Sequence, residues 1–315
     1  MVEPLFANEG EIPGASGRRV RVWRWLFRRK RIPWPRWREH APAPPPGRAA
    51  PGTLGVTFIG HATFLVQLGD VAVLTDPVWS SRAGPFGLVG PKRVCAPGQP
   101  LPALPGVDLV LVSHCHYDHL DLRTLGRLRR RFAPAFVSCL GNGRHLARAA
   151  VRDTVELGWW QSAELRGVRV TCVPARHFSA RTPWDRNRAL WGGFVVEAGG
   201  FRVFFAGDTA WGGHFAAVRE RIGAPDLALL PIGACEPRWF MARHHMNAEE
   251  AVRAHRELGA RFSVGMHFGC FPLADEAIDA PLESLVTARA AAGIAATHFF
   301  TLGVGESAEL SPPPA

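Results

Sequence analysis

Nine residues, Ser113-His114-Cys115-His116-Tyr117-Asp118-His119-Leu120-Asp121, constrain this chain more than any other stretch. Four residues with metal-ligand chemistry fall within six positions there, directly after the apolar run 107–112. The β-branched and leucine content of that run predicts a buried strand. The following residues, 122–131, predict a helix. The donors therefore sit on a loop at a strand's C-terminal end, where rigid scaffolds carry their chemistry. In an extended turn His114 and His116 point to one side, and Asp118 and His119 point elsewhere. One loop thus offers two ligand pairs to two metals. Imidazole and carboxylate suit Zn²⁺, and less decisively Mn²⁺ or Fe²⁺. Packing alone gives no reason for a buried strand to feed three histidines and an aspartate.

The rest of the pattern extends this rim. Residues 54–59, 63–68 and 71–75 predict three consecutive strands, the last ending at Asp76-Pro77. An irregular Gly- and Pro-rich stretch, 80–106, follows. Helices are predicted over 122–132, 143–151 and 248–257. Strands are predicted over 135–138, 168–174, 193–197, 201–206, 227–231, 261–266 and 297–302. No repeat of motifs is visible. Strands in runs with helices between them imply two packed sheets covered by helices, an α/β (α+β) arrangement. His177, Asp208 and His267 each follow one of these apolar strands. With the first loop they make seven ligands, enough for two metals if one carboxylate bridges and each metal keeps an open position. Asp208 is the natural bridge.

The chain has 315 residues, 47% hydrophobic and 20% charged, which suits one large or two small globular domains. No apolar run is long enough to cross a membrane. The N-terminus lacks the basic and apolar regions of a signal peptide, and the pair Arg18-Arg19 is not followed by an apolar core. A cytoplasmic protein is expected, with peripheral placement on the inner face of the cell membrane left open. The six cysteines have no C-x-x-C spacing and read as free thiols of a reducing compartment. Cys115 is expected to point away from the metals, with a thiolate ligand as the alternative.

The net charge of +10 is matched by ten Lys and Arg residues between positions 18 and 38. Trp23, Trp25, Phe27, Trp34 and Trp37 interleave with cations that include Arg28 and Arg29. Three uses suit this composition. The segment can meet a membrane interface, pack on the folded domain, or stack on single-stranded nucleic acid. The first two are compatible. The expected plan is a basic, aromatic and Pro-rich extension over 1–52, a domain over 53–305 and a tail over 306–315. Within the extension, 1–17 read as a flexible leader and 41–52 as a Pro-rich spacer.

His114-Cys115-His116-Tyr117-Asp118-His119 resembles the H-x-H-x-D-H signature of the metallo-β-lactamase superfamily. Further blocks resemble its N-acylphosphatidylethanolamine-hydrolysing phospholipase D family: Phe58-Ile59-Gly60-His61-Ala62-Thr63, Leu74-Thr75-Asp76-Pro77, Gly90-Pro91-Lys92-Arg93, Phe205-Ala206-Gly207-Asp208-Thr209 and Glu236-Pro237-Arg238-Trp239-Phe240-Met241. The likeness runs from about residue 54 to 306. It implies an αββα four-layer sandwich with two Zn²⁺. His114, His116 and His177 would hold one ion, Asp118, His119 and His267 the other, and Asp208 would bridge them. Asp76 would orient the ligand loop. His245 would line the site and pass a proton to the leaving group, so that Asp118 and His245 carry the catalysis. His61 is a turn histidine that would face the site. Cys115 and Asn247 depart from the family pattern.

The implied reaction is hydrolysis of an N-acylphosphatidylethanolamine-type phospholipid to phosphatidate and an N-acylethanolamine. Two alternatives stand beside it. One is a hydrolase of a soluble phosphorylated lactone or other small ester. The other is an RNA-processing or nucleic-acid-binding protein that uses the basic arm. On the leading reading no nucleic acid partner is expected, a homodimer is compatible, and the Arg-, Ala-, Gly- and Pro-rich composition points to a bacterial source.

Overall fold

The computed structural model describes residues 5–11, 32–41, 43–50 and 52–311. β1 (Leu54–Gly60), β2 (Thr63–Leu68) and β3 (Val71–Thr75) pair antiparallel through tight turns. β3 then takes β4 (Leu109–Val112) as a parallel neighbour, and β5 (Ala135–Cys139) and β6 (Thr154–Leu157) continue the parallel run. A parallel pair needs a long crossover. The crossovers on either side of β4 are the irregular stretch after Asp76 and the His/Asp loop with its helix.

The pleat sorts β4 into two layers. Leu109 and Leu111 enter the core between the sheets, while Val110 and Val112 meet Leu125 and Leu128 of α1 (Leu122–Phe132). Both faces are covered, which is why the strand reads as a continuous apolar run. Asp121 caps α1 by accepting the Arg123 N–H. α2 (Gly143–Leu146) is a single turn before β6.

The second sheet repeats the plan of the first. β7 (Ser162–Leu165), β8 (Val168–Val173), β9 (Gly193–Ala198) and β10 (Phe201–Phe205) pair antiparallel. β10 then opens a parallel run through β11 (Leu227–Pro231), β12 (Phe262–Met266) and β13 (Phe299–Phe300). α3 (His214–Arg221), α5 (Ala248–Leu258) and α6 (Ala280–Ala291) pack together on this half, and α4 (Arg238–Met241) is one turn in the loop after β11. Each sheet has seven strands among the described residues. β3 and β10 hold equivalent places, the strand at which antiparallel pairing becomes parallel. Asp76 follows one and Asp208 the other. The duplication is one of strand order, and the motifs do not repeat.

Three expectations change. β6 and β7 were not expected as strands, because both are short and partly exposed. Residues 306–315 are not simply a tail: β14 (Ser307–Leu310) pairs with β1 at the edge of the first sheet, and the Thr57 and Ser307 hydroxyls meet at 2.8 Å. The described part of the N-terminal extension lies against the domain. Trp34 Nε1 donates to Glu276 O at 2.8 Å, and Arg38 makes a bidentate pair with Asp279 at 2.6 Å. Gln67 holds the Gly47 carbonyl and the Ala49 amide, and Gln99 holds the carbonyls of Ala43 and Pro44. The Pro-rich spacer is thus a strap anchored by buried amide side chains. Trp37 stays 47% exposed and donates only to Glu39. Trp23, Trp25, Arg28 and Arg29 lie outside the described residues. No described helix is long and apolar enough to cross a membrane.

A chain ended at Gly305 tests the status of β14. It leaves β1 an open edge and exposes the site of Leu310, a residue only 8% exposed. We expect a loss of about 2 kcal/mol or more in urea unfolding. An unchanged midpoint would mean that β14 adds nothing.

Candidate metal centre

Asp76 is fully buried and has a left-handed φ of 29°. It accepts the Ser113 backbone N–H at 2.7 Å, the Ser113 hydroxyl at 2.6 Å and the His119 Nδ1–H at 2.6 Å. The Ser113 hydroxyl, having donated to Asp76, accepts from His114 Nδ1 at 2.8 Å. His177 Nδ1 donates to the His244 carbonyl at 2.9 Å. Three imidazoles thus have Nδ1 tied to an acceptor, which fixes the tautomer and turns Nε2 toward a common centre.

Two groups of donor atoms result, each gathered within 4.8 Å: His114, His116, His177 and Asp208, and His61, Asp118, His119 and His267. In the first, His116 Nδ1 lies 2.8 Å from His114 Nε2 and 3.2 Å from His177 Nε2. In the second, His119 Nε2 lies 3.2 Å from His267 Nε2, and Asp118 Oδ2 lies 3.0 Å from His61 Nε2. Asp208 stands between the groups. Its Oδ2 is 3.7 Å from His177 and 3.2 Å from His119, and its Oδ1 is 3.1 Å from His267. Oδ1 makes that approach without hydrogen-bond geometry and has no other partner. Nitrogens that converge on nitrogens, beside an unsatisfied buried carboxylate oxygen, fit a bound cation. His245 joins from the side, with Nδ1 3.9 Å from Asp208 Oδ2.

Burial sets the electrostatics. It pushes the His116 imidazole down to about 4 and His61 to about 3, and it holds His114 and His177 well below their usual value. These rings are neutral near pH 7, as ligands must be. Burial also opposes charge on Asp118 and Asp208. The neighbouring histidines, His119 first, overcome it and hold both carboxyls well below the usual carboxylate range. In return His119 stays well above the ordinary imidazole value despite burial, because Asp208, Asp118 and Asp76 surround it. His267 rises to about 9 against burial, chiefly through Asp208.

Residues 72–268 match the family model of the beta-lactamase superfamily domain. The chain belongs to this superfamily. An uncharacterized protein of Mycobacterium tuberculosis is 43% identical over 75% of this chain, and the match spans 64% of that relative's length. The N-acyl-phosphatidylethanolamine-hydrolyzing phospholipase D 1 of Caenorhabditis elegans is 37% identical over 82% of this chain and 76% of its own. Relatives also include metal-dependent hydrolases of the UPF0173 group. Among solved structures, Igni18, a metallo hydrolase of Ignicoccus hospitalis, superposes with a TM-score of 0.62 at 22% identity, over 83% of this chain and 100% of its own. The two-sheet sandwich is that of the superfamily.

Within this β-lactamase-type site all seven expected ligands converge. Asp76 and Ser113 hold the ligand loop from below. His61 is closer than expected: it is a member of the second donor group rather than a neighbour of it. Cys115 is buried, pushed up to about 11 by that burial, and absent from both groups. Asn247 caps α5 with Glu250 in a reciprocal capping box, so its departure from the family pattern is used locally.

Asn8 gave no signal in the sequence and was assigned to a flexible leader. It is buried, and its Oδ1 accepts from the His177 backbone N–H at 3.1 Å and from Trp191 Nε1 at 3.0 Å. Gly207, just before Asp208, has φ 58°, and a Cβ there would fall 2.8 Å from Gly192 O and from the Ser113 Cβ. Only glycine lets the Asp208 loop approach Ser113 so closely.

Replacing Asp76 by Asn frees His119 and the Ser113–His114 relay while leaving every direct donor in place. We expect metal affinity to fall about 10- to 100-fold in chelator competition. Affinity equal to the unmodified protein's would show that Asp76 does not position the donors.

Proposed function

We propose that the chain is a phosphodiesterase using two Zn²⁺, which cleaves N-acylphosphatidylethanolamine-type phospholipids to phosphatidate and an N-acylethanolamine. Superfamily membership alone does not separate a lipid substrate from a soluble one. The observation that carries the lipid reading is the rim of the site. Three loops leave the site residues Asp76, His177 and Pro231–His245. At their tips Phe86 is 83% exposed, Leu88 70%, Trp184 82% and Trp239 53%. Apart from the buried Arg93, residues 78–99, 178–190 and 235–247 together hold seven Lys and Arg against two acids. Apolar tips beside cations suit an interface of anionic headgroups and acyl chains. The phospholipase relative in Caenorhabditis elegans supports the same substrate class.

The chain's own groups take distinct parts. His114, His116 and His177 would hold one ion, Asp118, His119 and His267 the other, with Asp208 between them and His61 beside Asp118. Held by these residues, such ions would supply a water of near-neutral pKa and a counter-charge for the phosphoryl oxygens. His116, Asp118 and His245 are the partly exposed members and face the opening, whereas His114, His119, His177 and His267 are buried. His245 is brought to about 4 by burial and is neutral near pH 7, stationed 3.9 Å from Asp208. On this reading the neutral ring takes up a proton from the attacking water and then passes it to the departing N-acylethanolamine oxygen. Arg181 backs the ligand loop, donating to the Cys115 and Leu120 carbonyls and lying over Tyr117.

Mass spectrometry of products from zinc-loaded protein and N-acylphosphatidylethanolamine tests the reaction class. We expect N-acylethanolamine from the native chain and a loss of at least about a thousandfold in Asp208→Ala. Full metal loading with no release would discard this substrate and turn attention to small phosphodiesters and lactones. The rim is tested separately. Phe86→Ser with Trp184→Ser is expected to weaken binding to phosphatidylglycerol vesicles at least about tenfold and to spare hydrolysis of a water-soluble phosphodiester. Unchanged vesicle binding would refute the docking role of these tips.

A further inference from the structure

Arg93 is a buried cation without an acid. It is 3% exposed, its Nη2 and Nε donate to the Val78 and Ser80 carbonyls, and its Nη1 has no hydrogen-bond partner. A charge so placed calls for an anion nearby. No carboxylate pairs with it among the described residues. What lies beside it is a pair of thiols. Cys95 Sγ and Cys270 Sγ are 3.7 Å apart, although 175 positions separate them in the chain. A Cβ built on Gly60 would meet Cys270 Sγ at 3.1 Å and Arg93 Nη1 at 3.3 Å, so the guanidinium and this sulfur share one small space.

The two cysteine segments already run side by side. Val94 N donates to Cys270 O at 2.9 Å, and the Cys95 thiol points at Gly269 O at 3.8 Å. A disulfide bond of about 2.05 Å needs the sulfurs to close from van der Waals contact, which pulls the two adjoining segments together. Both thiols are buried, at 2% and 0% exposure, but Cys95 lines a cavity of about 260 Å³ walled by Phe58, Phe268 and Leu302, with Arg38 and His40 also lining it.

We propose that Cys95 and Cys270 are a reversible oxidation site for hydroperoxides, and that closing their disulfide weakens the metal centre. In the first step the Cys95 thiolate attacks the peroxide. An S–O bond forms, the O–O bond breaks, and the alkoxide or hydroxide leaves, giving a sulfenic acid. Cys270 then attacks that sulfur, the S–O bond breaks, and water leaves with the thiol proton. Two electrons pass from the cysteines to the peroxide, and a thiol reductant reverses the bond. The Cys270 hydrogen bond and the Arg93 charge hold the Cys95 thiol down at about 6, against burial, which suits it for the attacking role.

The same molecule supplies a contrast. Cys139 and Cys172 are closer, at 3.5 Å, but both are fully buried, and burial holds Cys139 well above its ordinary value. Proximity alone would therefore favour the wrong pair. The link to the metal centre is short. Cys270 follows His267 by three residues, and His267 N donates to His61 O. Phe271 meets the His61 ring edge-on at 5.3 Å and carries the Arg93 guanidinium at 4.7 Å. Drawing Cys270 toward Cys95 shifts the segment that delivers His267.

The test is peptide mapping of the full reduced chain after a few equivalents of hydrogen peroxide, alkylation and digestion without reductant. A Cys95–Cys270 linked peptide should accumulate first and vanish with dithiothreitol, while Cys115, Cys139, Cys172 and Cys235 remain alkylatable. In Cys270→Ala, dimedone should trap a sulfenic acid at Cys95. Arg93→Gln should slow the link at least about tenfold; if that variant does not fold, the Cys270→Ala trapping decides the point. Zinc affinity by chelator competition should fall about tenfold or more in the oxidised chain and recover on reduction. Linkage of Cys139–Cys172 at an equal or faster rate, or no trapped sulfenic acid, would overturn the oxidation site. Equal zinc affinity in both redox states would overturn its effect on the metal centre. None of these readouts depends on the lipid substrate.

Discussion

Two buried carboxylates and a third at the mouth of the site set the terms for this molecule. Asp76 and Asp208 are 0% and 3% exposed, and Asp118 is only partly open at the mouth. A carboxylate taken from water costs several kcal/mol unless charge and hydrogen bonds replace its hydration. Here imidazoles do so: His119 faces all three acids, and His267 faces two. The arrangement holds only while the strands keep their register. A shift of one residue would turn each donor to the wrong side of its sheet.

The fold solves that problem twice. In each sheet an antiparallel hairpin hands over to a parallel run, and an aspartate follows the strand at the change. Asp76 serves from below, fixing Ser113, His114 and His119. Asp208 serves from above, between the two donor groups. The crossovers that parallel pairing requires then carry the 114–119 loop and His267, while His177 comes from the connection between the antiparallel strands β8 and β9. The donor rim is thus built mostly from connections that this topology cannot omit, and the loops beyond it are free to carry apolar tips and cations.

Much of this was legible in the chain. The H-x-H-x-D-H loop after an apolar strand located the centre, and His177, Asp208 and His267 were found because each follows a strand buried on both faces. β6 and β7 escaped notice because they are four-residue strands with exposed or half-exposed side chains, where alternation has no room to show. β14 was mistaken for part of a tail because an edge strand needs only one neighbour and one buried side, here Leu310. Asn8 was invisible for a different reason: a single polar side chain in an acidic, Pro- and Gly-containing segment has no pattern. Only the folded chain shows it holding His177. The duplication of strand order was hidden as well, because hydrogen-bond direction leaves no periodic mark.

The central claim is that Asp208 divides one cluster of imidazoles into two metal positions. Anomalous diffraction from crystals of the zinc-loaded protein, collected on both sides of the zinc edge, tests it most directly. The account predicts two peaks, one among His114, His116 and His177 and one among Asp118, His119 and His267, each within bonding distance of Asp208. A single peak, or two peaks neither of which touches Asp208, would contradict it.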